Sequence, residues 1–184
     1  MLIGYRLSRM LDCTDPASKD LFNFGDSSAA ILVSASDVRF RHLHSAMYTE
    51  PRWPDYYTGA YRDGRILIQC NGHREGLTSA YVDNFLRLTK ETLVAIGNNL
   101  GDVSYLLINH GDRRMHERLL RELELPESKS LFNYHRFGHM GGADTLIAIR
   151  HLVETGQLKA GEIVLLATSA MGFSWGITAL EFLE

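Results

Sequence analysis

The chain has the length and composition of one ordinary globular domain: 184 residues, 45% hydrophobic and 22% charged, with a formal net charge of −3. No run of lysine and arginine marks a nucleic-acid partner, and no apolar run is long enough to cross a bilayer or to form the core of a signal peptide. The two cysteines, Cys13 and Cys70, do not make a disulfide framework, so we expect a cytoplasmic protein that binds neither nucleic acid nor membrane.

The first part of the chain predicts strands separated by an irregular segment. Residues 1–5 look like the end of a strand, and residues 29–33 form the short apolar run of a buried strand. Residues 40–61 contain aromatic side chains, two prolines and no clear period, so we predict an irregular excursion that lines a pocket or a subunit contact. Residues 65–70 follow the hairpin signal Asp63-Gly64 and predict another strand.

Helical and strand-like segments alternate in the remainder. Apolar residues recur at helical spacing over residues 79–100, and Gly101 is the expected stop. Residues 105–108 and 163–168 are continuous apolar runs, as in strands covered on both faces. Two further helices and a last strand are predicted over residues 115–123, 143–155 and 177–182. This alternation predicts a layered α/β fold with a mixed sheet.

Two turns carry the histidines that stand out. His110 follows the strand predicted at residues 105–108, and His139 lies just before the helix predicted at residues 143–155. That placement can aim two imidazoles into one crevice. Such a pair supplies basic and hydrogen-bonding groups, but no nucleophile accompanies them in the sequence.

Several segments resemble, in order, motifs of the ketoacyl-ACP synthase III group of the thiolase superfamily. FGDSSAA at residues 24–30 resembles its FGDGAGA turn, and NHGD at 109–112 resembles its PHQAN segment, which carries the catalytic histidine. RFGH at 136–139 resembles its RxGN segment, which carries the catalytic asparagine. GQLKAGEIVL at 156–165 and GFSWG at 172–176 resemble its GxIKxGxxvl and GFTWG stretches. These motifs all belong to the C-terminal half of that family.

The resemblance implies a thiolase-like fold, in which two similar halves form an αβαβα sandwich. Residues 1–184 would be a single domain, a layered αβα half with a mixed sheet, and residues 1–20 resemble the tail of the N-terminal half. The family's catalytic cysteine lies in that other half. Cys13 and Cys70 are interpreted as structural or exposed thiols. We therefore expect an oligomer, in which the chain associates tightly with an N-terminal half that bears the cysteine or with a second copy.

The activity that the resemblance implies is a thioester-dependent acyl transfer or condensation, of the kind found in fatty acid or polyketide biosynthesis. Its substrate would be an acyl-CoA or acyl-carrier-protein thioester, with no cofactor, and the chain would be inactive without the other half. His110 keeps the family's residue and is expected to donate to the thioester carbonyl or to hold the thiolate. Without the motifs, His110 would be interpreted as a satisfied histidine at a strand end.

His139 departs from the family pattern, which has asparagine there. An imidazole can act as a base, which an amide cannot, and the dipole of the following helix is expected to disfavour its charged form. Decarboxylative condensation is thereby put in doubt, and transfer to a hydroxyl or amine is favoured. Two alternatives therefore stand beside condensation: an acyltransferase that forms an ester or amide, and a noncatalytic partner subunit of a thiolase-fold complex. His139 could also simply pack the turn.

The remaining site residues follow from the same resemblance. Met171 maps to the glycine whose backbone N–H completes the family's oxyanion hole, and its side chain would narrow the site. Gly172 and Phe173, in the same turn, are predicted to contact substrate. Arg113 could meet the phosphate of an acyl carrier, although such residues more often form a solvated helix face.

The other histidines are assigned no chemistry. The pairs at residues 42 and 44 and at 135 and 139 lack a thiolate or carboxylate at convincing spacing, so we predict no metal site. Three more are interpreted as surface or helix-face residues: His73, His116 and His151.

Overall fold

The computed structural model describes residues 1–71 and 74–184, so His73 lies outside the described residues. The strands are β1 (Leu2–Arg6), β2 (Asp26–Ala30), β3 (Phe40–Thr49), β4 (Tyr57–Arg62), β5 (Arg65–Cys70), β6 (Val103–Ile108), β7 (Ile163–Ala170) and β8 (Ser174–Phe182). The α-helices are α1 (Leu77–Ala95), α2 (Arg113–Glu122), α3 (Tyr134–Phe137) and α4 (Ala143–Glu154).

The central sheet has four strands in the order β3-β8-β7-β6. β8 is antiparallel to β3 and β7, whereas β7 and β6 are parallel, so the sheet is mixed. Successive side chains of a strand point to opposite faces. Leu106 and Leu165 therefore belong to the core on the side of α1 and α2, whereas Leu107 and Val164 belong to the core on the side of α4. The resulting three-layer αβα arrangement is the one that the sequence predicts.

The prediction succeeds where a segment is buried on both faces or has a clear helical period. The runs at residues 105–108 and 163–168 are confirmed as the inner strands β6 and β7. The helices predicted at residues 115–123 and 143–155 are confirmed as α2 and α4. The hairpin signal Asp63-Gly64 is also confirmed, since it connects β4 to β5 with φ angles of +50° and +78°.

After residue 75, two predicted boundaries are wrong by more than two residues. The helix predicted to stop at Gly101 ends at Ala95, because Gly97 adopts the left-handed conformation that terminates helices, with a φ of +71°. The last strand begins at Ser174 rather than at residue 177, since the pairing of β7 with β8 continues to the partners Ala170 and Ser174.

The first part of the chain differs most from its prediction. Instead of a buried strand at residues 29–33, β2 ends at Ala30, and the side chains of Leu32 and Val33 are 90% and 80% exposed. Residues 40–61 are not irregular, because they contain β3 and β4. β3 lies at a sheet edge with one face largely exposed, and its register shifts between His42 and His44. A bulge of this kind breaks the alternation by which strands are recognised.

β1 and β2 form a two-stranded antiparallel ribbon apart from the central sheet. Met1 and Leu2 on this ribbon are 67% and 86% exposed. A two-stranded ribbon is marginal by itself, and its apolar side chains offer a surface for contact. Association with another chain, and the likeness of residues 1–20 to the tail of another half, stay predictions. None of the helices in residues 1–71 and 74–184 combines the length and hydropathy needed to cross a membrane.

Candidate active site

A cleft of about 310 Å³ opens where the parallel strands β6 and β7 end. Asn109 and Ser169 lie at these two strand ends, and His139 approaches from the turn before α4. Aromatic side chains form much of the remaining wall: Phe24, Tyr56, Tyr57, Tyr81, Phe85 and Phe173. The carboxyl ends of parallel strands are the usual place for binding sites in open α/β sheets, so this cleft is the candidate site.

Asp144, which the sequence does not single out, connects the two predicted histidines. Its carboxylate is completely buried in the first turn of α4. Oδ2 accepts hydrogen bonds from the backbone N–H of His110 and from Nδ1 of His139, both at 2.7 Å. Oδ1 accepts the backbone N–H of Met140 at 2.9 Å. Burial alone would raise the pKa of Asp144, but the hydrogen bonds from His110 and His139 outweigh it and lower the pKa to about 2.

The backbone around His139 is fixed by Asn23 and by the FGDSSAA segment that follows it. The N–H of His139 donates to the carbonyl of Asn23 at 2.7 Å, and its own carbonyl accepts the N–H of Gly25 at 2.8 Å. Gly138 allows this approach, since it has a φ of +67° and a Cβ there would lie 2.1 Å from the Asn23 oxygen. Two of the motifs read from the sequence therefore interlock and hold the His139 ring at the cleft.

The protonation pattern of His139 follows from its partner. Asp144 is ionised at neutral pH and can only accept hydrogen bonds, so Nδ1 of His139 must carry the proton. In the neutral ring Nε2 then has a free lone pair. Within residues 1–71 and 74–184 the His139 side chain is hydrogen-bonded through Nδ1, and Nε2 makes no hydrogen bond. His139 is 15% exposed by its side chain and lines the cleft, which places a potential base at the surface of the site.

His110 is brought to the same carboxylate but in a different setting. Its side chain is only 1% exposed and is not among the residues that line the cleft. Nε2 lies 3.2 Å from the carbonyl of Leu131, and Nδ1 lies 3.5 Å from Oδ1 of Asp144. Only Nε2 has a hydrogen-bond partner among the described residues, and the buried Nδ1 has none. The catalytic role of His110 stays a prediction. The two imidazoles do not face one crevice as predicted, because His139 lines the cleft and His110 does not; both rings instead lie beside the carboxylate of Asp144.

His116 is not the surface histidine that the sequence suggests. It is 1% exposed, stacks on Phe132 at a centroid distance of 4.2 Å, and lies 6.5 Å from the His110 ring. Its Nε2 is 2.7 Å from Oγ of Ser130 and its Nδ1 is 3.1 Å from the hydroxyl of Tyr134. Burial, followed by the charges of His110 and Arg113, lowers the pKa of His116 to about 3, so it is neutral in the folded protein.

The turn predicted to supply the oxyanion hole is clamped to the end of β3. The N–H of Phe173 donates to the carbonyl of Glu50 at 3.1 Å, and the N–H of Glu50 donates to the carbonyl of Phe173 at 2.8 Å. Gly172 has a φ of +133°, which only glycine adopts readily. Met171 and Phe173 both line the cleft, whereas Gly172 is not among its lining residues. The oxyanion and substrate-binding roles stay predictions.

The other residues named from the sequence lie away from the cleft wall. Arg113 is exposed at the start of α2, where its Nε is 2.8 Å from Oε1 of Glu117. Cys13 is exposed and Cys70 half-buried, and neither lines the cleft. Among residues 1–71 and 74–184, no group of three or more histidine, cysteine or acidic side chains is placed to hold a metal ion.

This chain resembles a family model and curated proteins that belong to one named group. The family model described as 3-oxoacyl-[acyl-carrier-protein (ACP)] synthase III C terminal matches residues 93–182. Beta-ketoacyl-[acyl-carrier-protein] synthase III of Rhodospirillum centenum is 30% identical over 190 residues, which cover 95% of this chain and 55% of that protein. The chain thus spans about half the length of the curated relatives that it matches.

Solved structures show the same fold. The crystal structure of 3-oxoacyl-[acyl-carrier-protein] synthase III from Aquifex aeolicus VF5 superposes with a TM-score of 0.83 at 24% identity, covering 98% of this chain and 56% of that one. The structure of ChlB3, which is named as an acyltransferase, superposes with a TM-score of 0.74 at 24% identity, covering 87% of this chain and 52% of that one. The thiolase-like α/β fold implied by the motifs is therefore confirmed. Together with the family match, these relatives show that the chain corresponds to the C-terminal half of a ketoacyl-ACP synthase III-like protein.

Proposed function

We propose that this chain activates the acceptor in a thioester-dependent acyltransferase, with His139 as the general base toward a hydroxyl or amine. One observation carries the proposal: the ring of His139 lies on the cleft wall with its Nδ1 held 2.7 Å from the buried carboxylate of Asp144. A carboxylate that fixes the proton on one ring nitrogen leaves the other free to take a proton from an attacking group.

The reaction follows from this arrangement. An acyl group is held as a thioester on a cysteine, and the oxygen or nitrogen of the acceptor attacks its carbonyl carbon. Nε2 of His139 takes the acceptor's proton as the new ester or amide bond forms, and the backbone N–H of Met171 faces the developing oxyanion. The carbon–sulfur bond then breaks, and the imidazolium returns the proton to the departing thiolate.

The nucleophile in this proposal lies outside the chain. Cys13 and Cys70 do not line the cleft. The chain also corresponds to one half of longer relatives, which leaves room for a cysteine on an N-terminal half or a second copy. The acyl donor would be a CoA or acyl-carrier-protein thioester, with no further cofactor, and the chain alone would be inactive. His110 would support Asp144 through its backbone N–H, in addition to the predicted role of its ring.

Decarboxylative condensation is the second candidate, because the relatives are named as ketoacyl synthases. That reaction needs hydrogen-bond donors directed at an enolate oxygen. A neutral His139 with its proton on Nδ1 presents an acceptor to the cleft instead, so the geometry favours acyl transfer.

The test is a single-turnover assay on the complete protein, with this chain and its N-terminal half. The cysteine is loaded from an acyl-CoA, loading is followed by intact-protein mass spectrometry, and discharge to alcohols and amines is timed. We expect His139→Asn to slow discharge roughly 10²- to 10⁴-fold while loading proceeds normally. His135→Asn, at an exposed position four residues away, serves as the matched control.

Unchanged discharge in His139→Asn would exclude the base role. Faster condensation with malonyl-CoA than transfer to any alcohol or amine by the wild-type protein would establish the condensing reaction instead.

A further inference from the structure

Two hydroxyl groups on the cleft wall take no part in the reaction proposed above. Tyr81 on α1 and Ser169 at the end of β7 both line the cleft together with His139. Their hydroxyl groups are hydrogen-bonded to each other. Ser169 lies two residues before Met171, the predicted oxyanion position, and Met171 lines the same cleft.

Both members of the pair are held rigidly. The ring of Tyr81 makes edge-to-face contacts with Phe85 and Trp175 at centroid distances of 5.4 and 5.7 Å. The backbone of Ser169 is clamped by the side chain of Asn109, which accepts its N–H and donates to its carbonyl, both at 3.1 Å. A hydroxyl pair fixed on both sides is a preorganised recognition element.

The hydrogen bonds of the pair leave an acceptor unused. Burial raises the pKa of Tyr81 to about 12, so the phenol keeps its proton at neutral pH. Ser169 can donate to Oδ1 of Asn109, 3.5 Å away, and Tyr81 can donate to Ser169. Each O–H is then engaged, and the phenol oxygen still has a lone pair for a ligand.

We infer that Tyr81 and Ser169 form a polar subsite that binds a hydroxyl or amino group of a substrate, beside the carbonyl that reacts. A plain alkyl group in this place would displace water from the pair without replacing its hydrogen bonds. The transferred acyl group or the acceptor therefore carries a polar substituent near its reacting end. The inference rests on the proposed function for the reaction at this cleft, but its binding step can be measured without turnover.

The experiment is titration calorimetry on the complete protein with ligands that cannot be transferred. One arm compares the amide analogues of butyryl- and 3-hydroxybutyryl-pantetheine, and the other compares cyclohexanol with cyclohexane-1,2-diol. We expect the hydroxylated member of one arm to bind about tenfold more tightly, the size of one good hydrogen bond. The arm that shows the preference identifies the acyl group or the acceptor as the partner of the subsite.

Tyr81→Phe keeps the ring contacts, and we expect it to abolish the preference while affinity for the plain ligand is unchanged. Ser169→Ala is a second, smaller variant with the same expected effect, and Tyr61→Phe, at a 77% exposed position outside the cleft, is the control. The subsite is refuted if the wild-type protein shows no preference in either arm, or if the preference survives in both variants. A preference in a protein that transfers no acyl group would overturn the proposed function alone.

Discussion

Replacing Asp144 with asparagine preserves the size of the side chain and removes the charge on which the His139 arrangement depends. In the wild-type protein the carboxylate accepts three hydrogen bonds, from the backbone of His110 and Met140 and from the ring of His139. An amide has one oxygen. If that oxygen occupies the Oδ2 position, the NH₂ group faces the N–H of Met140, and two donors are left in contact.

The magnitude can be worked from these bonds. A hydrogen bond to a charged group contributes about 1.5–3 kcal/mol, and an unsatisfied buried donor costs about 1–3 kcal/mol. Because the amide still accepts two bonds, we expect the free energy of unfolding to fall by about 2–4 kcal/mol. The amide oxygen still accepts the Nδ1 proton, but the neutral amide no longer stabilises the positive charge that His139 gains when Nε2 takes a proton. We therefore expect acyl discharge to slow roughly 10²-fold or more, with loading of the cysteine unaffected.

Urea unfolding and the single-turnover discharge assay, both run on the complete protein, measure these two effects separately. Glu154→Gln makes the same carboxylate-to-amide change at the exposed end of the same helix, where the side chain pairs only with Arg150 among the described residues. We expect that control to change stability by at most about 0.5 kcal/mol and to leave discharge unchanged. The discharge rates are compared in the pH range where both variants are fully folded.

A discharge rate and pH profile equal to those of the wild type in folded Asp144→Asn would refute the positioning role. A rate that falls only in proportion to the unfolded fraction would make Asp144 a structural residue.

The pH dependence of stability is a separate check. The pKa of Asp144 is lowered to about 2 from an ordinary value near 4, so its stabilising contribution is complete above about pH 4 and is lost as the pH falls toward 2. Asp144→Asn is expected to lack that loss.

Two further predictions concern stability. The folded protein keeps His116 neutral with a pKa of about 3, whereas the unfolded chain protonates this residue below about pH 6.5, so the free energy of unfolding falls as the pH drops from 6.5 toward 3. Urea unfolding should show a pH slope up to about 1.4 kcal/mol per pH unit steeper in the wild type than in His116→Gln. Equal slopes in the two proteins would contradict this prediction. Gly138→Ala should cost about 2 kcal/mol or more by urea unfolding, because its Cβ would meet the Asn23 carbonyl at 2.1 Å, whereas Gly156→Ala, at a similar φ of +65° with nothing within 4 Å, bears the conformational strain alone. Equal losses in the two glycine variants would exclude the clash.

The buried layers of the fold can be predicted from the sequence because burial leaves a pattern. β6 and β7 are covered on both faces and read as unbroken apolar runs, and α2 and α4 repeat at helical spacing. β3 leaves no such pattern, because it is an edge strand with a bulge between His42 and His44. The ribbon of β1 and β2 is similar, since it lies outside the central sheet and none of its residues is fully buried.

The burial of His116 can be predicted from its position on α2. Its neighbours on one helical face are Leu119, Leu120 and Leu123, at spacings of three, four and seven residues, and all four side chains are buried. A histidine in register with the apolar stripe of a helix is expected inside the protein, where it must be neutral or paired. The periodicity of α2 therefore predicts the burial of His116, although not its bonds to Ser130 and Tyr134.

The contacts of Asp144 are harder to predict from the sequence than the burial of His116. An acidic residue in the first turn of a helix is ordinarily explained by the helix dipole, which favours negative charge there. Only the structure shows that the side chain of Asp144 is hydrogen-bonded to the backbone of His110 and to the ring of His139. The contact joins residues that are 34 positions apart through two turns, and no spacing rule predicts it.

Residue 139 is histidine in this chain and asparagine in the family pattern, and the effect of that difference depends on the carboxylate of Asp144. The dipole of the following helix bears on whether the ring is charged. The structure points instead to the position of the proton, because Asp144 requires it on Nδ1. An asparagine amide at the same place could turn a donor toward the cleft, whereas a neutral His139 so held can turn only an acceptor. In the function proposed above, this acceptor is the atom that takes the proton of the attacking hydroxyl or amine.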